Sequence, residues 1–165
     1  LDDGEKEKLR LVIAGGWDER VAENVEHFQE LQAHAKRLGL ESYVLFYRKV
    51  PDLERNWLLW SCRAVLYTPE NEHFGIVPLE AGVALRPVIA CNSGGPRESV
   101  VNEVTGYNCE SDPALWADKM LHLLLHPEIA KQMGETAVKR VISNFSPNVI
   151  IPKLEDIMYS MSARS

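Results

Sequence analysis

The chain has 165 residues, 45% of them hydrophobic and 25% charged, with a formal net charge of −6. This length and apolar content suit one globular domain with a sizeable core, and the acidic balance argues against a nucleic-acid partner. No apolar run approaches the roughly 18 residues of a membrane span, and the charged start LDDGEKEKLR lacks the apolar segment of a signal peptide.

Leu9 to Ala14 is a continuous apolar run, as in a strand covered on both faces. Gly15 and Gly16 end it, either as a tight turn or as a place where a ligand comes close to backbone. Asp18 is a plausible N-cap for a helix from Glu19 to Leu38, with Val21, Val25, Phe28, Leu31, Ala35 and Leu38 on one stripe and Gly39 as terminator. Tyr43 to Tyr47 is the next strand. Arg48 and Lys49 follow at its C-terminal end, where open α/β sheets bind ligands; they face a diphosphate or form a solvated basic pair. A helix runs from Pro51-Asp52 to about Cys62, with Trp57, Leu58 and Trp60 in core and domain surface.

Leu66 to Glu80, LYTPENEHFGIVPLE, is the informative stretch. An apolar strand, Ala64 to Tyr67, ends at Thr68-Pro69. A polar loop, Glu70 to Phe74, follows, and Gly75 opens a helical pattern to about Leu85. Pro78 falls in the first turn, where its missing N–H is tolerated. The amides of Gly75, Ile76 and Val77 stay available for a phosphate. Glu72 lies in the loop and Glu80 about 7 Å further along the axis, at about 1.5 Å per residue. Glu80 is placed for ribose hydroxyls and Glu72 for whatever hangs off the diphosphate. Two solvated glutamates on a capped surface helix would show the same spacing.

Strand Val88 to Cys91 leads into Asn92-Ser93-Gly94-Gly95-Pro96, a loop that is either an ordinary turn or a cradle whose amides hold a donor sugar. A short helix from Arg97 to Val101 and a strand from Tyr107 to Cys109 follow. Helices then start at Asp112-Pro113, Pro127 and Ser146-Pro147, ending in a polar tail. Cys62, Cys91 and Cys109 show no CxxC or Cys/His pattern and read as free thiols in a reducing compartment. His122 and His126, without a third ligand, read as helix surface, so no metal site is expected. The alternation predicts an α/β, Rossmann-like parallel sheet with helices on both faces. Residues 1–165 read as one such domain, with C-terminal helices over about 113–160.

EHFGIVPLEAG resembles the E-x7-E segment of retaining GT-B glycosyltransferases of family 4. With PVIACNSGGPRESV, the likeness runs from about Leu11 to Phe145 and is nearest to the family's mannosyltransferases of dolichol-linked oligosaccharide assembly. The resemblance implies a GT-B C-terminal domain and an enzyme using GDP-mannose as donor, without a metal or other cofactor. Its acceptor would be a dolichol-diphosphate-linked oligosaccharide, at the cytosolic face of the endoplasmic reticulum. It assigns Glu72 the catalytic position, orienting the mannose but not acting as nucleophile, because both glutamates lie on one side of the nucleotide. It assigns donor binding to Glu80, Phe74, Gly75, Ile76, Val77, Ser93, Gly94 and Gly95, with Gly15, Gly16 and Arg48 beside them.

Two departures matter. Family members open this domain with a strand and helix carrying an Arg and a Lys for the diphosphate, and residues 1–8 are too short and too charged to supply that unit. In a 3-2-1-4-5-6 sheet the expected result is a central gap or direct pairing of the flanking strands. A fragment, or completion by an N-terminal acceptor domain or second chain, would follow. Gly82 stands where the mannosyltransferases usually have Met, which suggests close packing or relaxed constraint. Two other readings therefore stay open: a non-catalytic nucleotide-sugar-binding subunit or remnant, and a family 4 transferase using a UDP-sugar.

Overall fold

The computed structural model describes residues 9–162 together with residues 4 and 7. The charged start lies mostly outside the described residues, as does the end of the polar tail. In chain order the elements are β1 (Leu11–Gly15), α1 (Ala22–Arg37), β2 (Val44–Arg48), α2 (Asp52–Ser61), β3 (Val65–Tyr67), α3 (Val77–Val83) and β4 (Val88–Cys91). These are followed by α4 (Pro96–Ser99), β5 (Gly106–Cys109), α5 (Pro113–Leu125), α6 (Pro127–Phe145) and α7 (Pro147–Ser162). The architecture is α/β with parallel sheets and flanking helices, as expected. Two compact units form, Leu1–Trp57 and Leu58–Ser165. Their strands make two separate sheets, β1-β2 and β3-β4-β5, and no ladder joins β1 to β3 among the described residues.

In the first unit β1 and β2 run parallel, from the pair Leu11–Val44 to the pair Gly15–Arg48. Helix α1 covers them through Phe28, whose ring stands edge-on to Phe46 at 5.5 Å and to Trp17 at 5.1 Å. Asp18 does not cap α1. Its carboxylate accepts from the Arg20 amide and side chain in a local turn, and the helix begins three residues beyond the expected point. That partner holds the Asp18 carboxyl below its usual range. Gly39, at φ +68°, ends the helix as expected. In α2, Trp57 and Trp60 are exposed.

In the second unit the pleat sorts side chains to two faces of the sheet. Ile89, Tyr107 and Cys109 point to a core with Leu123 of α5 and Ala130 and Met133 of α6. Val88 and Ala90 point the other way, to Ala81 of α3 and Val100. All four residues of β4 are buried, which is why its sequence is uniformly apolar. Asp112 caps α5 by accepting from the Ala114 amide at 2.8 Å.

Helix α3 stops at Val83, two residues short of the expected Leu85. The Leu85 amide donates to Gly82 O and the Arg86 amide to Ala81 O, with Leu85 at φ +61°. This is the double-bonded helix ending usually built around glycine. The strained leucine is held because α6 presses on it: a Cβ on Gly134 would run into the Leu85 carbonyl. Gly82 is explained in the same way, since a Cβ there would lie 2.9 Å from Val141 Cγ2. Of the two readings of Gly82, the structure selects close packing.

Gly134→Ala is expected to lower unfolding stability by about 1–3 kcal/mol, because overpacking meets backbone. Gly82→Ala meets a movable methyl and gains up to about 1 kcal/mol of helix propensity, so its net change should be smaller. Urea unfolding of both variants measures the contrast.

Candidate functional site

The candidate site lies at the C-terminal ends of β3 and β4. β3 ends at Tyr67, and the chain turns through Asn71 at φ +54° and Gly75 at φ +72° before entering α3. Gly75 is required twice. Its φ disfavours any side chain, and a Cβ would lie 2.6 Å from Tyr67 Oη. The tyrosine ring thus packs against the entry to the helix. Burial, and secondarily the charge of Glu72, push the Tyr67 hydroxyl above its usual pKa.

Glu72 is half-buried, and its carboxylate accepts from the His73 amide at 3.0 Å. Glu80 is half-buried in the first turn of α3. The sequence places a helix start at Gly75; the helix itself begins at Val77. The amides of Gly75, Ile76 and Val77 donate to no backbone carbonyl among the described residues.

The loop after β4 grips the Glu72 loop directly. Ser93 Oγ accepts from the Asn71 amide at 3.0 Å, and the Gly95 amide donates to Glu72 O at 2.8 Å. A Cβ on Gly94 would collide with the Glu72 backbone, and one on Gly95 with the Phe74 backbone. The sequence reading gave these residues to a sugar. The structure engages the Ser93 hydroxyl as acceptor and the Gly95 amide as donor with the neighbouring loop. At the base of the pair, Cys91 Sγ donates to Thr68 O at 3.1 Å, and the Asn92 amide donates to Cys109 O at 2.8 Å.

Phe74, 38% exposed, packs against Phe145 of α6 at 5.9 Å between ring centroids. Tyr67 and Phe145 were missed by sequence reasoning. Tyr67 reads as an ordinary strand residue, and Phe145 lies 71 positions from its partner. Gly15, Gly16 and Arg48 belong to the first unit. Side chains added to the two glycines would meet open space. The Arg48 guanidinium lies 4.8 Å from the Trp17 ring centroid and 5.0 Å from that of Phe28. Among the described residues no cluster of three or more His, Cys, Asp or Glu could hold a metal. No helix there is long and apolar enough to cross a membrane.

Gly75→Ala should destabilise the chain by about 1–3 kcal/mol, the range for overpacking and backbone strain. Tyr67→Phe removes the nearest atom, so the double variant should be less destabilised than the sum of the two. A double-mutant cycle in thermal unfolding reads that coupling.

The chain is 47% identical over 148 residues to alpha-1,3/1,6-mannosyltransferase ALG2 of Homo sapiens, covering 90% of this chain and 36% of that protein. It is 44% identical over 141 residues to the Dictyostelium discoideum protein of the same name, covering 86% and 34%. The chain therefore spans about a third of the length of these relatives. Among solved structures, sucrose-phosphate synthase of Thermosynechococcus elongatus superposes with a TM-score of 0.81 at 23% identity, over 98% of this chain and 41% of that one. Anabaena HepE, in complex with UDP-glucose, superposes with a TM-score of 0.78 at 22% identity, over 95% and 43%. At these identities the structures establish the shared GT-B fold. Residues 1–140 match the family of glycosyl transferases group 1, and the chain belongs to that family.

Proposed function

We propose that the chain is the donor-binding part of a retaining mannosyltransferase that uses GDP-mannose. The observation that carries the reading is the E-x7-E pair on one loop-and-helix element, Glu72 and Glu80, in a chain resembling named mannosyltransferases over most of its length. Glu80 would bind the ribose hydroxyls. The amides of Gly75, Ile76 and Val77 would take the diphosphate. Glu72, held by the neighbouring loop, would orient the mannose, with Phe74 and Gly94 at the edge of the donor.

The chemistry asks little of a nucleophile here. The bond between C1 and the diphosphate oxygen breaks, the electron pair leaves with GDP, and the acceptor hydroxyl oxygen bonds C1 as its proton passes to the departing diphosphate oxygen. Positive charge develops on the sugar ring and negative charge on the leaving group. Preorganised amides at the diphosphate oxygens stabilise that leaving charge, and a carboxylate near the sugar tolerates the oxocarbenium character. This reading requires no metal. The acceptor would be a dolichol-diphosphate-linked oligosaccharide, presented by an N-terminal acceptor domain or a second chain at the cytosolic face of the endoplasmic reticulum.

Calorimetric titration with GDP-mannose, GDP and UDP-GlcNAc tests the reading. GDP-mannose should bind, and Glu80→Ala should weaken both guanosine ligands by about 1–3 kcal/mol, as expected when a charged hydrogen-bond partner is lost. Preference for UDP-GlcNAc would transfer the reading to a UDP-sugar donor. A cooperatively melting chain that binds none of the three would overturn it.

Glu72→Gln separates the two glutamates. It should leave GDP affinity within about twofold, because it is isosteric and distant from the ribose. Mannose transfer, measured with the acceptor part supplied, should fall by about 100-fold or more, the loss seen when one electrostatic contact to the developing charge is removed.

A further inference from the structure

We propose that Arg140 of α6 is a positioning residue for the Glu72 loop, acting through α4 and Gly95; its functional consequence rests on the donor-site reading above. Arg140 reaches across more than forty positions of sequence. Its Nη2 donates to Glu98 O at 2.6 Å and its Nε to Ser99 O at 3.4 Å. Asn144, in the orientation that satisfies both of its amide atoms, accepts from Nη1 at 3.1 Å.

These bonds land on the last carbonyls of α4, a helix of four residues. So short a helix leaves its end carbonyls without internal partners, and a cation there supplies them. What α4 holds in turn is Gly95. The Gly95 carbonyl accepts from the Glu98 amide at 2.8 Å and the Ser99 amide at 3.3 Å, while its own amide donates to Glu72 O at 2.8 Å. One turn of helix thus lies between the guanidinium and the Glu72 backbone.

A second route starts from the same side chain. The guanidinium lies 5.7 Å from the Phe145 ring centroid, and Phe145 packs on Phe74, two residues after Glu72. Both strands of the loop pair are therefore tied to the last two turns of α6, one by hydrogen bonds and one by ring contact. The planar fork matters: a lysine ammonium cannot address two successive carbonyls and an amide oxygen while lying against a ring.

The test is residue-resolved amide exchange on the ligand-free chain, with Arg140→Met and Arg140→Lys beside the parent. Gly95 exchange should accelerate about tenfold in Arg140→Met, the effect of losing hydrogen bonds to a charged donor, and less in Arg140→Lys. Ile89 and Ala90 in β4 should keep their protection. Titration of the same variants should then show GDP affinity within about twofold of the parent and GDP-mannose affinity down about fivefold or more, within the range for one lost contact. Unchanged exchange at Gly95, or acceleration spread evenly over β4, would overturn the proposal. If Gly95 accelerates alone and the parent binds no GDP-mannose, the positioning stands and the donor reading fails. Phe145→Leu supplies an independent variant if Arg140→Met does not fold. It should loosen Phe74 while leaving Gly95 protected, and loss of Gly95 protection there would count against the hydrogen-bonded route.

Discussion

The hydrogen bond from the Gly95 amide to the Glu72 carbonyl joins the two loops of the candidate site. It forms only because neither Gly94 nor Gly95 carries a side chain, since a Cβ at either would strike the backbone of residues 72–74. Ser93 adds a second tie to the Asn71 amide. Together they convert two loops, each able to sample many conformations alone, into one surface. The entropy of ordering a backbone residue is about 1–2 kcal/mol. Under the proposed donor-site reading, a glutamate presented from this pre-ordered loop would meet its ligand without that cost on binding.

The sheet below this surface explains where it lies. In β3-β4-β5 every pairing is parallel, so all three strands end on the same side. The loops that carry Glu72 and Ser93 follow adjacent strands and meet there. Helices α3 and α6 brace this arrangement through close contacts at Gly82 and Gly134, the latter against backbone. Helix α6 thus serves the core at Ala130 and Met133 and the site at Arg140 and Phe145.

Much of this was legible from residues alone. The apolar run of β4, the Asp112-Pro113 start of α5 and the Gly39 ending of α1 each follow from local chemistry, and each stands where expected. Local rules failed where a competing contact, near or distant in sequence, took the group. Asp18 has the residue type of a cap but is taken by Arg20. Leu85 has a helix former's propensity but is held at positive φ against Gly134. The Ser93 hydroxyl and the Gly95 amide are engaged by the Asn71 amide and the Glu72 carbonyl, partners that no local pattern specifies.

By itself the sequence determined the strand and helix order, the apolar faces and the E-x7-E pair, because these are written in periodicity, turn residues and spacing. It also carried enough similarity to identify the family. Tertiary structure decided which polar groups remain open and which are consumed by neighbours. The amides at Gly75 to Val77 stay open while that of Gly95 does not, and Arg140 becomes part of the site's support. Those outcomes depend on the approach of segments 23 to 42 positions apart, and no local pattern encodes which carbonyl a distant amide or guanidinium will meet.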